Sequence, residues 1–261
     1  MTLLELCNVT KEYSVRSRKL SWFRRKKHFT AVNQVNLTLS KGECLGIVGE
    51  SGSGKSTIAK LIMKIESVTS GQVLLDGKLI NSNQIKDIQL YKRLQMVLQD
   101  SSSSLHPKMN VQEILTEPLR NYFSKNKEWR TQCIQLLELV NLDASYLIRY
   151  PHQLSGGQKQ RVCIAKALAV KPDIIIFDES IASLDSTSQT SIIRMLKRIQ
   201  KQEQLSYLFI THDLQSTKEL CDRVAVMYQG EIIETFHLLD VGQLKHRYSN
   251  LLFQTLEDNE R

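Results

Sequence analysis

Long apolar runs are missing from this chain. Its most apolar stretch, Ile174-Ile175-Ile176-Phe177, falls far short of the roughly 18 residues that a bilayer-spanning helix needs. The start, Met1-Thr2-Leu3-Leu4-Glu5, has neither the basic residues nor the apolar core of a secretory leader. The expectation is a cytoplasmic chain that reaches a membrane only through a partner. Repeats and low-complexity tracts are absent too, and proline occurs only four times, which excludes collagen-like and disordered classes. The cysteines, Cys7, Cys44, Cys133, Cys163 and Cys221, are odd in number, scattered and without a CxxC pair. That argues against a disulfide framework or a thiolate zinc site, and for small buried apolar residues. The six histidines include no HExxH pair.

Acidic residues are missing from one segment. Arg16, Arg18, Lys19, Arg24, Arg25, Lys26 and Lys27 lie together without a carboxylate among them. They account for nearly all of the net charge of +8. The basicity is therefore one local insert, residues 16–28, and not the distributed face that nucleic-acid binding calls for. Trp22 and Phe23 sit amid these charges. The insert is either a solvated loop or a contact to anionic lipid or to a membrane partner.

What is present in excess is glycine in one place: Gly42, Gly46, Gly49, Gly52 and Gly54. Such density marks backbone that turns sharply or approaches something closely. Before it, Cys44–Val48 reads as a buried strand. After it, Ile58, Leu61, Ile62 and Ile65 follow i, i+3, i+4, i+7, one helical stripe. Trp129, Cys133, Leu136, Leu137 and Val140 also repeat at helical spacing, and Pro118 predicts a break or kink in an earlier helix. From Pro172 a strand–helix alternation returns: Ile174–Phe177 as a strand buried on both faces, a helix carrying Ile192, Leu196 and Ile199, a strand at Tyr207–Ile210, and a hairpin at Val224–Tyr228 and Ile232–Ile233. The sum is an α/β sheet interrupted by a helical insertion at about residues 100–165.

Gly49-Glu50-Ser51-Gly52-Ser53-Gly54-Lys55-Ser56-Thr57 fits G-x-x-x-x-G-K-[ST] in full. Small residues let backbone N–H groups converge on a phosphate, and the following helix adds its positive end. Lys55 would reach the β- and γ-phosphates, and the Ser56 hydroxyl would ligate Mg²⁺. The strand Ile174–Phe177 ends in Asp178-Glu179, where an open sheet places ligands. Asp178 would hold Mg²⁺, and Glu179 would polarise the attacking water as general base. A solvated strand end would look the same without the glycine loop upstream.

Leu154-Ser155-Gly156-Gly157-Gln158, preceded by Tyr150-Pro151-His152-Gln153, matches the signature of the ATP-binding cassette (ABC) ATPases, and the chain resembles that family over roughly residues 3–255. The resemblance implies a P-loop NTPase fold with a RecA-like sheet core, an N-terminal antiparallel β part and an inserted helical subdomain. It implies an ABC domain over about 1–240 and a short tail over 241–261. By the same resemblance, Ser155, Gly156, Gly157 and Gln158 contact ATP held by a second subunit. Tyr13 stacks on adenine, Gln99 contacts Mg²⁺ or the attacking water, Asp185 of Ser183-Leu184-Asp185 crosses to the partner, and His212 hydrogen-bonds the γ-phosphate.

Within the family the chain is similar to ATP-binding subunits of oligopeptide, dipeptide and nickel importers. The supporting stretches are the basic insert, Gln99-Asp100 followed by Ser103-Ser104-Leu105-His106-Pro107, and the tail His246-Arg247-Tyr248-Ser249-Asn250-Leu251-Leu252. Ser101, His106, Arg247 and Ser180-Ile181-Ala182 depart from that group's pattern, which leaves the cargo open. The resemblance implies MgATP as cofactor and, with no cysteine after Cys221, no iron–sulfur cluster. It implies a second, similar ATPase subunit, two transmembrane permeases, indirectly an extracytoplasmic binding protein, and a peripheral place on the cytoplasmic face of the membrane. The alternative is a soluble ABC ATPase acting on nucleic acid, supported only by the basic insert. A regulator without turnover is disfavoured because Glu179 and His212 are both present.

Overall fold

The computed structural model describes residues 1–15, 27–82, 84–123, 128–182 and 184–259. Nearly all of the basic insert lies outside them, as does Ser183. Strands β1 (Thr2–Val15) and β2 (Lys27–Ser40) are followed by β3 (Cys44–Val48) and helix α1 (Lys55–Ile62). Next come β4 (Ser70–Leu75), β5 (Lys78–Leu79), α2 (Asp87–Arg93) and β6 (Leu94–Val97). A helical stretch holds α3 (Ser101–Ser104), α4 (Val111–Tyr122), α5 (Trp129–Leu139) and α6 (Gly156–Leu168). The chain then runs through β7 (Ile174–Asp178), α7 (Ser186–Glu203), β8 (Ser206–Ile210), α8 (Leu214–Leu220), β9 (Arg223–Tyr228), β10 (Glu231–His237) and α9 (Arg247–Asn259).

Two sheets result. An antiparallel one has the order β2-β1-β4-β5. The larger has the order β10-β9-β3-β8-β7-β6, parallel except for the β9–β10 hairpin. Its central strands are buried on both faces because each is apolar at every position but one or two, and side chains alternate between faces. Leu45, Ile47, Ile174, Ile176, Leu208 and Ile210 pack toward α1 and the antiparallel sheet. Cys44, Ile175, Phe177, Tyr207 and Phe209 pack toward α6, α7 and the helical stretch. There the Phe177 ring meets Tyr207 edge-on at 5.1 Å and Phe209 at 6.3 Å.

Parallel strands carry functional consequence through their ends. Register pairs Val97 with Phe177, Asp178 with Ile210, and Ile47 with Ile210. The loops after β3, β8, β7 and β6 therefore leave from one edge of the sheet, and residues about 50, 212, 179 and 99 are gathered there although the sequence scatters them.

One local expectation is corrected, and another is narrowed. Ile65 does not continue the α1 stripe: the helix stops at Ile62, the chain turns at Lys64 with φ 54°, and Ile65 is 62% exposed. Of the break or kink expected at Pro118, the break is excluded: α4 continues to Tyr122. The helix keeps five further buried positions besides Pro118, and its start is closed by a capping box in which Asn110 accepts from the Glu113 N–H and Glu113 accepts from the Asn110 N–H. These offset the one hydrogen bond that proline forfeits.

Candidate active site

The loop after β3 is built on glycine conformations. Gly49 has φ +150° and Gly54 φ +110°; a Cβ at either would fall 2.1 Å from the Met227 carbonyl oxygen or 2.3 Å from that of Ala31. No other residue fits there. The loop bends back on itself through the Ser53 N–H to Glu50 carbonyl bond of 3.2 Å. Lys55 then begins α1 with only 4% of its surface exposed. Its ammonium donates to the carbonyls of Gly49 and Glu50, each at 2.8 Å. Burial lowers the Lys55 pKa, against the pull of Glu179, Asp178 and Glu50.

One residue further, the Ser56 hydroxyl donates to the Asp178 carboxylate at 2.9 Å, joining the glycine loop to the end of β7. Burial raises the Asp178 pKa, opposed by the hydrogen bond from Ser56. A hydroxyl and a carboxylate converging at 2.9 Å are hard oxygen donors, and both suit Mg²⁺ that keeps waters and phosphate oxygens as its other ligands. Such an ion would supply charge for the phosphate oxygens. Glu179 follows in the left-handed region, φ 48°, with its N–H on the Ile210 carbonyl at 2.9 Å. A non-glycine residue held there marks a backbone that the surrounding sheet over-determines. The turn aims the carboxylate at His212, whose Nδ1 is 3.7 Å from Glu179 Oε1. The Glu179 side chain is 23% exposed and that of His212 60%.

Other expected residues are placed around this cluster. Gln99 follows β6 and is exposed; the Ser56 and Asp178 hydrogen bond is to each other and not to it. Glu50, Ser51 and Gly52 are exposed, and Thr57 half-buried. Tyr13 lies on β1 opposite Phe29 of β2, beyond the stretch of β1 that pairs with β4. Its hydroxyl donates to Glu66, and Lys11 sits over its ring at 4.9 Å while pairing with Glu66 at 3.3 Å. Burial, then Glu66, push the Tyr13 pKa up to about 12.

The signature forms a separate group. Ser155 caps α6 in a capping box: its Oγ accepts the Gln158 N–H at 3.3 Å, and its N–H donates to Gln158 Oε1 at 3.0 Å. The Ser155 hydroxyl proton is thereby left to donate outward. A Cβ on Gly157 would meet Ser188 Oγ at 3.2 Å, and one on Gly156 would touch Leu184 at 3.6 Å. Asp185 caps α7 by accepting from Ser188 N–H at 2.9 Å, and its hydrogen bonds hold its pKa well below the usual range. The signature thus packs on Leu184 and Ser188, either side of Asp185, and none of these partners belongs to the Lys55 cluster. Sequence reasoning missed Tyr146, whose hydroxyl accepts from Gln158 Nε2 at 2.9 Å, and Glu66, 53 positions from the tyrosine it holds. No spacing rule points to either.

A glycine loop at the carboxyl edge of a parallel sheet, a buried lysine, a hydroxyl–carboxylate pair and a carboxylate beside a histidine define a P-loop ATPase. Residues 32–182 match the ABC transporter family. The chain is 41% identical over 237 residues to the nickel import ATP-binding protein NikE of Shigella dysenteriae serotype 1, covering 90% of this chain and 87% of that one. It is 40% identical over 224 residues to the oligopeptide transport ATP-binding protein OppF of Streptococcus pyogenes serotype M1, covering 84% and 73%. The dimeric structure of a post-hydrolysis state of the ATP-binding cassette MJ0796 bound to ADP and Pi superposes with a TM-score of 0.74 at 29% identity, covering 90% of this chain and 99% of that one. The chain belongs to the ABC transporter family, and it is an ATP-binding, ATP-hydrolysing subunit that couples this energy to transport.

The raised Asp178 pKa has a stability consequence. A carboxyl whose folded pKa lies above its unfolded one stabilises the fold below the unfolded pKa, and loses that contribution as pH rises through the folded value. At neutral pH the ionised Asp178 therefore costs the nucleotide-free chain stability. Asp178→Asn should raise its thermal midpoint at pH 7.5 while impairing Mg²⁺-dependent ATP hydrolysis. The gain should shrink as pH falls into the carboxylate range; thermal melts across pH check both sign and trend.

Proposed function

We propose that this chain is the ATPase subunit of an importer for a peptide, nickel or a metal–chelator complex, acting from the cytoplasmic face of the membrane. The observation that carries the ATPase chemistry is the Lys55–Ser56–Asp178–Glu179–His212 cluster, in which the lysine is held at the glycine loop, the serine hydroxyl on the aspartate and the glutamate beside the histidine. Lys55 neutralises the β- and γ-phosphates. Ser56 and Asp178 hold Mg²⁺, with Gln99 reaching the same ion or the attacking water. Glu179 takes the proton of that water, and His212 binds the γ-phosphate. Tyr13 offers adenine the ring face opposite Lys11. The organisation is one ABC domain over about 1–240, with the helical segment near 100–165 inserted and the 241–261 tail attached.

The relatives' names, nickel import and oligopeptide transport, support the importer reading; with two cargoes among them, they leave the choice of cargo to permeases and a binding protein. Among the described residues no helix is long and apolar enough to cross a membrane; in this reading two permease subunits supply the channel. The nucleic-acid alternative rested on the basic insert, nearly all of which lies outside the described residues.

Two copies of the cassette, this chain and a similar one, close around two ATP molecules. Ser155 has a hydroxyl proton free to donate and no partner in the Lys55 cluster, which supports its acting on the partner's ATP. A γ-phosphate left with half its donors in a closed interface would be costly. Ser155→Arg should therefore leave ATP binding by the isolated chain nearly intact and block dimer closure, whereas Lys55→Ala should weaken binding in the isolated chain. Nucleotide affinity of each purified variant, then dimerisation with the partner, tests this. Equal loss of binding in both would remove the in-trans role.

Glu179→Gln keeps the shape of the site but removes the general base. ATP hydrolysis in the assembled transporter should fall on the order of 10²–10⁴-fold, with ATP binding kept and the closed dimer trapped. Near-normal turnover would mean that another group takes the proton.

The helical segment after Gln99 is the proposed permease dock, since a shift at the γ-phosphate can move it. Exposed Ile148 and Tyr150 at 76% and 37% support a contact surface there. Leu105 is only 1% exposed and belongs to the helical core, so a change there would test folding, not docking. Ser103 is exposed: Ser103→Arg and Ile148→Glu should reduce transport in vesicles while leaving ATP affinity unchanged. Wild-type transport from both would put the dock elsewhere.

A further inference from the structure

The tail beyond β10 is fastened to the sheet beside the glycine loop. Phe253 of α9 is 5% exposed, edge-on to Phe236 at 5.3 Å, in a cluster with Val226 and Val48, the last residue of β3. The Glu234 carboxylate accepts the N–H groups of Lys245 at 2.7 Å and His246 at 3.3 Å. The Asn250 side chain donates to the Leu244 carbonyl at 3.0 Å. Both ends of the helix entry are thus held.

In the first turn of α9, Tyr248 lays its ring on Tyr228, centroids 4.5 Å apart, and its hydroxyl oxygen accepts the Glu50 N–H at 3.2 Å. That N–H belongs to the same peptide unit as the Gly49 carbonyl, which accepts from the Lys55 ammonium at 2.8 Å. A peptide unit is planar. Gripping its carbonyl from one side and its N–H from the other sets the orientation of the whole unit, next to the glycine whose φ is +150°. Burial, then the Glu50 carboxylate, raise the Tyr248 pKa, so the hydroxyl keeps its proton at physiological pH.

Resting on the ATP-site reading above, we propose that Tyr248 is a positioning residue for ATP binding: its hydroxyl holds the Gly49–Glu50 peptide in the orientation the phosphates require. The lysine has two tasks at this loop. When its ammonium turns toward a phosphate, its hold on the Gly49 and Glu50 carbonyls slackens, and Tyr248 is the contact to that peptide that nucleotide does not compete for. The tail thereby acts on the affinity for nucleotide without touching it.

The test uses the full chain, a fluorescent trinitrophenyl-ATP titration, and ATP hydrolysis in the assembled transporter. Tyr248→Phe keeps the ring on Tyr228 and deletes only the hydroxyl. Without the hydroxyl the Gly49–Glu50 peptide is free to turn in the nucleotide-free chain, and reordering it on binding, at a cost on the scale of one hydrogen bond, should raise the ATP Kd and KM about three- to tenfold, with kcat within about twofold and the nucleotide-free thermal midpoint lowered less than in Phe253→Leu. Phe253→Leu loosens α9 but keeps the hydroxyl; it should lower the midpoint with a Kd near wild type. A wild-type Kd in Tyr248→Phe overturns the proposal. So does a Kd in Phe253→Leu raised as far as in Tyr248→Phe, since the effect would then belong to helix docking. Failure of the unaltered chain to bind ATP would instead overturn the functional reading beneath it.

Discussion

Charged groups of both signs, partly withdrawn from water, have to be held at one edge of a sheet. Lys55 is 4% exposed, and burial works against its charge as it works against that of Asp178. Neither group would persist there alone, because a buried charge without partners costs several kcal/mol. The lysine is kept by two backbone carbonyls and the aspartate by a serine hydroxyl. Each of those partners is placed by the parallel strands: β3 delivers the loop, β7 the carboxylates, and β8 between them the histidine. The apolar filling of both sheet faces, from Ile174 to Phe177 and from Tyr207 to Ile210, makes the edge rigid enough for this.

The same edge stores backbone conformations that ordinary sequence does not choose. Gly49 and Gly54 leave no room for a Cβ, and Glu179 occupies the left-handed region with a bulky side chain. The arrangement is one prepared for a ligand rather than optimised for the empty protein. It also explains why supports come from far away. The Tyr248 hydroxyl meets the Glu50 N–H across 198 positions of chain. A loop of small residues has few side chains with which to brace itself.

The division into two groups of residues follows from the layers. The Lys55 cluster stands at the sheet edge, whereas Ser155 caps a helix whose start packs on Leu184 and Ser188. The two groups therefore stand on different elements of the fold, and the proposed pairing of cassettes rests on that separation.

Sequence alone determined the elements whose signals are local. Strand Cys44–Val48, the glycine loop, the run ending in Asp178-Glu179 and the Ser155 helix start are legible because composition, periodicity and capping chemistry act over a few residues. The family resemblance added His212, Gln99 and Asp185, which spacing by itself does not single out. Where local reasoning failed, tertiary packing had the decision. The Ile65 stripe ended at a positive-φ turn. The Ser56–Asp178 bond spans 122 positions, Tyr13–Glu66 spans 53 and Glu50–Tyr248 spans 198. Such contacts depend on strand order and helix docking, and those are set by how apolar faces from the whole chain fit together, a sum that no single window of sequence contains.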